Sequence, residues 1–174
     1  ELMLKEGIFD APEGRFIMNV EVSYDSSVIL VHTTDVNGYE AAIFTIDNSG
    51  NRDKTIIDDV DGSLGGLDIT VDNRLVLYTR DVSGYESAGD RDLNMKMFFY
   101  DLEDSTIYDV SGNKPNGTND KDPRFSPNEA EVIFVNTSNS GNVQNDIYKI
   151  SFDETFDIGD RVLQIENAKM PDWE

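Results

Sequence analysis

Few residues in this chain have the types and spacing that catalysis requires. The single histidine, His32, directly follows an apolar run, and no serine stands in a nucleophile motif that this imidazole could serve. The nearest match to Gly-x-Ser-x-Gly begins at Tyr85, where the first glycine of the motif is missing. We therefore interpret His32 as structural and predict that the chain is not an enzyme.

Oxygen-bearing side chains could instead form an acid–base pair or a calcium site. Two carboxylate pairs, Asp58 with Asp59 and Asp90 with Asp92, could act at a glycosidic bond, but 35 acidic residues produce such neighbours by chance. The segment from Asp47 to Asp53 carries oxygen side chains at alternate positions, as calcium loops do. Turn formation explains this segment without an ion, so we predict no metal and no cofactor, with calcium as the open alternative.

Charge restricts the partners of the chain. Its 174 residues include 14 basic and 35 acidic side chains, which gives a net charge of −21. Binding to nucleic acid requires clustered Lys and Arg, and an anionic membrane surface repels such a chain. No apolar run approaches the roughly 20 residues of a membrane span. We predict a protein partner with a basic face, bound in a salt-dependent way, with no nucleic acid and no membrane insertion.

Extended segments form almost all of the chain. Short apolar runs rich in β-branched residues, bounded by turn formers, predict interior strands at 28–31, 75–78 and 132–135. Each is followed by two further extended segments, and no stretch shows sustained helical spacing with caps. The sequence predicts an all-β protein.

These segments belong to one repeated unit. A bulky residue followed by a turn recurs at Val22, Ile69 and Phe125, and Trp173 occupies the same place in a fourth copy. A period near 50 residues with four short strands is typical of a β-propeller blade, and a two-sheet sandwich is the alternative. We expect a single propeller domain, or a fragment of one, over 1–174, with blades at about 16–63, 64–115 and 116–169.

The third unit carries a specific resemblance. Residues 119–135, which contain Asp122-Pro123, Phe125 and Ser126-Pro127, resemble the repeat of TolB-type (WD40-like) β-propellers. We expect Pro127 to fix the first turn position, Asn128 to adopt the left-handed conformation, and the Ser126 hydroxyl to close the turn. Phe125 and Trp173 are expected to pack between blades.

The resemblance implies two functions. The first is a non-catalytic propeller, periplasmic or at the cell surface of a bacterium, that binds a protein partner. The second is the substrate-filtering propeller portion of a larger peptidase or other hydrolase. A motif that builds a blade does not report what the blade binds, so both remain open.

Loops at the rims supply the candidate binding residues. Connections from an outer strand to the next inner strand often face the ligand in propellers, which selects Asn119, Asp120 and Asp122. Tyr39 and Tyr85 occupy matching loops that we expect on the other rim.

Three units do not close a ring, because propellers typically have about four to eight blades. We expect residues 170–174 either to open a further blade or to complete the first by pairing beside residues 16–22. The ring would then be completed by the rest of a longer chain of about six blades, or by a second copy.

Overall fold

The computed structural model describes residue 11 and residues 13–36, 40–83, 93–139 and 144–173, with the backbone alone at 59–61. Strands dominate this part of the chain, and no helix occurs among the described residues. None of them therefore lies in a helix that could cross a membrane. The twelve strands are β1 (Arg15–Val22), β2 (Ile29–Asp35), β3 (Glu40–Ile46), β4 (Arg52–Asp61), β5 (Leu64–Ile69), β6 (Leu75–Asp81), β7 (Met95–Asp101), β8 (Ile107–Asp109), β9 (Thr118–Phe125), β10 (Glu131–Ser138), β11 (Asn145–Ser151) and β12 (Val162–Ile165). The all-β prediction is confirmed.

Consecutive strands form three four-stranded antiparallel sheets, β1 to β4, β5 to β8 and β9 to β12, in sequence order across each sheet. The apolar runs predicted as interior strands lie in β2, β6 and β10, each between two partners. Their side chains are buried on both faces, which explains why they read as continuous apolar runs.

The sheets pack face to face. Leu30 and Ile43 of the first sheet meet Val76 and Tyr78 of the second in one core cluster. A second cluster joins Phe99 of β7 to residues of the third sheet that include Phe125 and Phe134. Phe99 and Phe125 stack with ring centroids 5.3 Å apart. Phe125 therefore packs between sheets, as predicted.

The outward faces of the first and third sheets also carry buried apolar residues. On the first sheet these include Val31 and Phe44, and on the third Val135 and Ile147. Trp173 packs on the third sheet beside Ile147, and residues 166–173 form no strand. Pairing of residues 170–173 beside β1, one of the two expected arrangements, is therefore not present.

The turn between the first two strands has the same construction in each sheet. The hydroxyls of Ser23, Thr70 and Ser126 each accept a hydrogen bond from a backbone N–H five residues later, at 2.9–3.0 Å. The Ser126 hydroxyl donates to Asn128 Oδ1 at 2.7 Å, so it closes the turn as predicted.

The position of the left-handed residue in this turn was predicted wrongly. Glu129, with φ +55°, adopts that conformation instead of Asn128. Glu129 N–H donates to the Ser126 carbonyl at 2.8 Å, so Pro127 and Asn128 are the two central residues of the turn. Ser126 N–H donates to the Glu131 carbonyl at 2.9 Å, so residues 127–130 form a four-residue loop built around this turn.

Candidate functional site

An open groove of about 1000 Å³ lies between the second and third sheets. One side is the β5–β6 turn, which contributes Thr70, Asp72 and Arg74. The other side is the β9–β10 turn at 128–130, and the β11–β12 connection at 152–156 completes the lining. Because these turns lie at the same end of two antiparallel sheets, the groove opens on one rim.

Two phenylalanine rings line the groove and are fixed from below. Phe152 and Phe156 pack edge-on against the fully buried ring of Phe99, with centroids 4.9 and 5.9 Å away. The Tyr108 ring lies 4.5 Å from that of Phe156. Contacts with rings from β7 and β8 hold these side chains in place before any ligand arrives, which lowers the entropic cost of binding.

The β11–β12 connection is organised by one carboxylate. Asp153 Oδ1 accepts hydrogen bonds from the backbone N–H and hydroxyl of Thr155, at 2.8 and 2.7 Å, and from the Asp157 N–H at 3.0 Å. These hydrogen bonds lower the pKa of Asp153, so its carboxylate is ionised at neutral pH. Phe156 follows with φ +62°, a strained conformation for a bulky residue that the surrounding contacts maintain.

The groove is acidic. Four carboxylates line it, those of Asp72, Glu129, Asp153 and Glu154. Its one cation, Arg74, is already paired with the fully buried carboxylate of Asp101 at 2.8 Å. Burial works against ionisation of Asp101, but the Arg74 hydrogen bond prevails and lowers its pKa. The lining therefore presents about four uncompensated negative charges.

Arg74 provides an example, within the chain, of a guanidinium bound at the groove surface. Its guanidinium lies over the Phe156 ring at 6.0 Å from the centroid, which is the distance limit of a cation–π contact. Carboxylates and an aromatic face are thus arranged around a guanidinium within the chain itself.

The structure buries two of the predicted binding residues. Asn119 is 2% exposed, accepts a hydrogen bond from Met95 N–H at 2.9 Å and donates to Asn139. Asp120 is fully buried, and only Asp122 is exposed. Asn119 and Asp120 therefore hold strands together and cannot form a contact surface. Although β9 starts at a rim, neighbouring segments cover its first side chains.

The predicted tyrosines, Tyr39 and Tyr85, lie outside the described residues. Their placement on the other rim stays a prediction.

Asp120 belongs to a buried ion pair that crosses the third sheet. Arg161, just before the outermost strand, reaches Asp120 on the innermost strand, and Asn136 donates to the same carboxylate at 2.8 Å. The Arg161 guanidinium lies 4.6 Å from the Phe134 ring centroid on the way. Burial raises the pKa of Asp120 to about 6, against the attraction of Arg161. This pair ties the sheet together and is not accessible to a partner.

The remaining candidates from the sequence have structural surroundings. His32 is 5% exposed, and burial lowers its pKa to about 4, so it is neutral at pH 7. The Asp47 carboxylate accepts hydrogen bonds from Ser49 N–H and from Asn51, which accounts for that loop as a turn. Asp58 pairs with Arg52 at 3.0 Å.

The other acidic candidates lie outside the described residues, as does the near match to Gly-x-Ser-x-Gly at 85–89. Asp90, Asp92 and the side chain of Asp59 are not described. Within the described ranges, no group of three His, Asp or Glu side chains could hold a metal ion.

The groove was not predicted from the sequence. Residues 153–159 have the turn-forming composition of a hairpin connection, and nothing in a single unit shows that this connection faces the turns of two units. One signal was present in the sequence. The matching connections at 48–51 and 103–104 hold no aromatic residue, whereas the connection at 153–159 contains Phe156 and is directly preceded by Phe152.

Comparison with solved structures identifies the architecture. TolB from Acinetobacter baumannii superposes with a TM-score of 0.58 and 19% identity over 82% of this chain and 31% of that one. An oligogalacturonate lyase in complex with manganese has a TM-score of 0.61 and 12% identity over 95% of this chain and 45% of that one. Prolyl oligopeptidase B from Galerina marginata has a TM-score of 0.61 and 14% identity over 87% of this chain and 22% of that one. The fold is a β-propeller.

The three sheets are three blades, so the propeller prediction is confirmed and the sandwich alternative is set aside. The resemblance to TolB-type propellers holds at the level of the fold. This chain spans less than half the length of each of these structures. No family model and no curated protein matches the sequence.

Proposed function

We propose that this chain is a non-catalytic protein-binding propeller segment, and that a partner protein binds in the groove between its second and third blades. The observation that supports this most directly is the groove itself, an open depression of about 1000 Å³ with fixed aromatic rings and charged walls. Rigid aromatic anchors inside a polar rim are the usual composition of protein-binding hot spots.

The charge of the chain supports a basic partner. At −21 overall, the surface repels acidic molecules and steers basic ones toward it. The four groove carboxylates concentrate this effect at one place. The fold likeness to TolB supports a role at the bacterial cell envelope, which we include in the proposal.

A second candidate is supported by the likeness to prolyl oligopeptidase B. In this version the blades are the propeller portion of a larger hydrolase, and the groove admits substrate to a catalytic domain elsewhere. A hydrolase domain encoded next to these blades would favour it, whereas a lipoprotein signal or a peptidoglycan-binding domain would favour the first proposal.

Site-specific photo-cross-linking tests the proposal. Benzoylphenylalanine replaces Ala130, an exposed residue of the groove wall. A matched chain carries it in place of Asn113, an exposed residue in the connection between the second and third sheets. We expect a discrete cross-linked protein in envelope extracts from position 130 and not from position 113. Equal products from both positions, or a product from position 113 alone, would refute the groove as the binding site.

A further inference from the structure

We propose that the groove recognises an arginine-containing, extended segment of its partner, with the guanidinium placed over the Phe152 ring and between the groove carboxylates. This inference rests on the proposed function and specifies the chemistry of the ligand. It commits to a peptide segment because the groove is an open trough and its volume is at the upper end of the roughly 300–1,000 Å³ of ligand pockets.

The aromatic rings provide one half of the recognition. The Phe156 ring already carries the Arg74 guanidinium over it, and the Phe152 ring lies in the same lining. A planar guanidinium stacks on an aromatic ring and stays weakly hydrated, whereas an ammonium is compact and strongly hydrated. This difference favours arginine over lysine.

The carboxylates provide the other half. Asp153 is ionised and fixed by three hydrogen bonds, and exposed Glu154 follows it. Across the groove stand Asp72, whose Oδ1 accepts from the Thr70 hydroxyl at 2.6 Å, and Glu129. Since buried Asp101 neutralises Arg74, an incoming guanidinium meets a net negative field in the groove.

Apolar contacts favour a hydrophobic neighbour of the arginine. Leu75 and Ala130 line the groove beside the two phenylalanines. A segment with two arginines flanking one leucine would therefore match both the charged walls and the apolar surface.

The test is fluorescence anisotropy with labelled nine-residue peptides in a glycine–serine background. One peptide holds arginine, leucine and arginine at its centre; a second replaces both arginines with citrulline, which keeps the shape and removes the charge; a third uses lysine. We expect the arginine peptide to bind at least tenfold more tightly than the citrulline peptide and a few-fold more tightly than the lysine peptide. Its affinity should fall as salt is raised.

Two charge-reversal variants locate the interaction. Glu154→Lys should weaken binding of the arginine peptide about fivefold. Glu166→Lys, the same change at an exposed residue outside the groove, should leave it within about twofold. Circular dichroism confirms that both variants are folded.

Equal binding of the citrulline peptide, no effect of Glu154→Lys, or no binding of the arginine peptide at millimolar concentration would each overturn this inference. Partner capture at position 130 without arginine-peptide binding would refute the ligand chemistry alone. Loss of both would refute the proposed function as well.

Discussion

Replacing Asp120 with asparagine should raise the stability of the protein, relative to the wild type, as the pH goes from acid to neutral. We expect this although the change removes one member of an ion pair. Asp120 is fully buried on β9 and faces Arg161, with Asn136 as a further hydrogen-bond donor and Lys114 nearby. Asparagine keeps the shape and an acceptor oxygen, and removes the ionisable proton together with the negative charge opposite Arg161.

The magnitude follows from the pKa of the carboxyl. Burial raises the pKa of Asp120 from 3.8 in the unfolded chain to about 6 in the fold. A carboxyl with a raised pKa stabilises the fold fully below pH 3.8, and this contribution is lost as the pH rises through 6. For a shift of this size the contribution falls by roughly 2 to 3 kcal/mol between pH 4 and pH 7.5.

Urea unfolding of the wild type and of Asp120→Asn, followed by circular dichroism at pH 4, 5, 6, 6.8 and 7.5, measures this difference. We expect the free energy of unfolding of the variant, relative to that of the wild type, to rise by roughly 2 to 3 kcal/mol across the series. Asp122→Asn is the matched control, since Asp122 is exposed on the same strand, and it should show no such trend. A flat difference, or one in which the variant loses ground as the pH rises, would show that the ion pair keeps Asp120 charged.

Three further predictions concern a turn, a close contact between two blades and the loop at Asp47. Glu129→Ala removes the hydrogen bond that the Glu129 carboxylate accepts from a backbone N–H of the second blade, and it should cost about 1–2 kcal/mol of stability. Glu129→Gly should cost about 1 kcal/mol less, because glycine tolerates the positive φ. Equal urea midpoints for the two variants would contradict this. Gly66→Ala places a Cβ 2.4 Å from Pro123 Cδ and should destabilise the fold by more than about 3 kcal/mol, the upper end of the overpacking range. Gly117→Ala, also at positive φ but with open space around it, should cost about 1 kcal/mol. The opposite order of melting temperatures would refute the close approach of β5 and β9. Millimolar calcium added to metal-stripped protein should not shift the melting temperature, because hydrogen bonds within its own turn already engage the Asp47 carboxylate; a concentration-dependent rise would establish the calcium loop.

The blades could be predicted from the sequence because their signals are local and repeated. Apolar runs such as 28–31 and the recurring residues Val22, Ile69 and Phe125 depend on pairing within one unit, and three copies confirm one another. The position of the left-handed residue in the third turn was missed by one, because Asn commonly adopts that conformation and Glu rarely does. At Glu129 a contact with the neighbouring blade accompanies the less usual conformation.

The site could not be predicted in the same way. The groove forms where turns of two blades and one connection meet, so its composition appears only after the sheets are packed. Asn119 and Asp120 were expected at the rim because they follow a connection from an outer strand to the next inner strand. Their burial follows from Met95 and Arg161, partners 24 and 41 residues away in sequence. Long-range pairing of polar groups leaves no periodic trace in a single sequence.

Hydrogen–deuterium exchange of the chain, alone and with the partner recovered by cross-linking at position 130, tests the central claim that the groove is the binding site. We expect slower exchange in the β5–β6 turn, in the β9–β10 turn and in the β11–β12 connection, which together form the groove. Exchange in the connection around Asn113, at the other end of the sheets, should be unchanged. Protection confined to that connection, or no protection in the three groove segments, would contradict it.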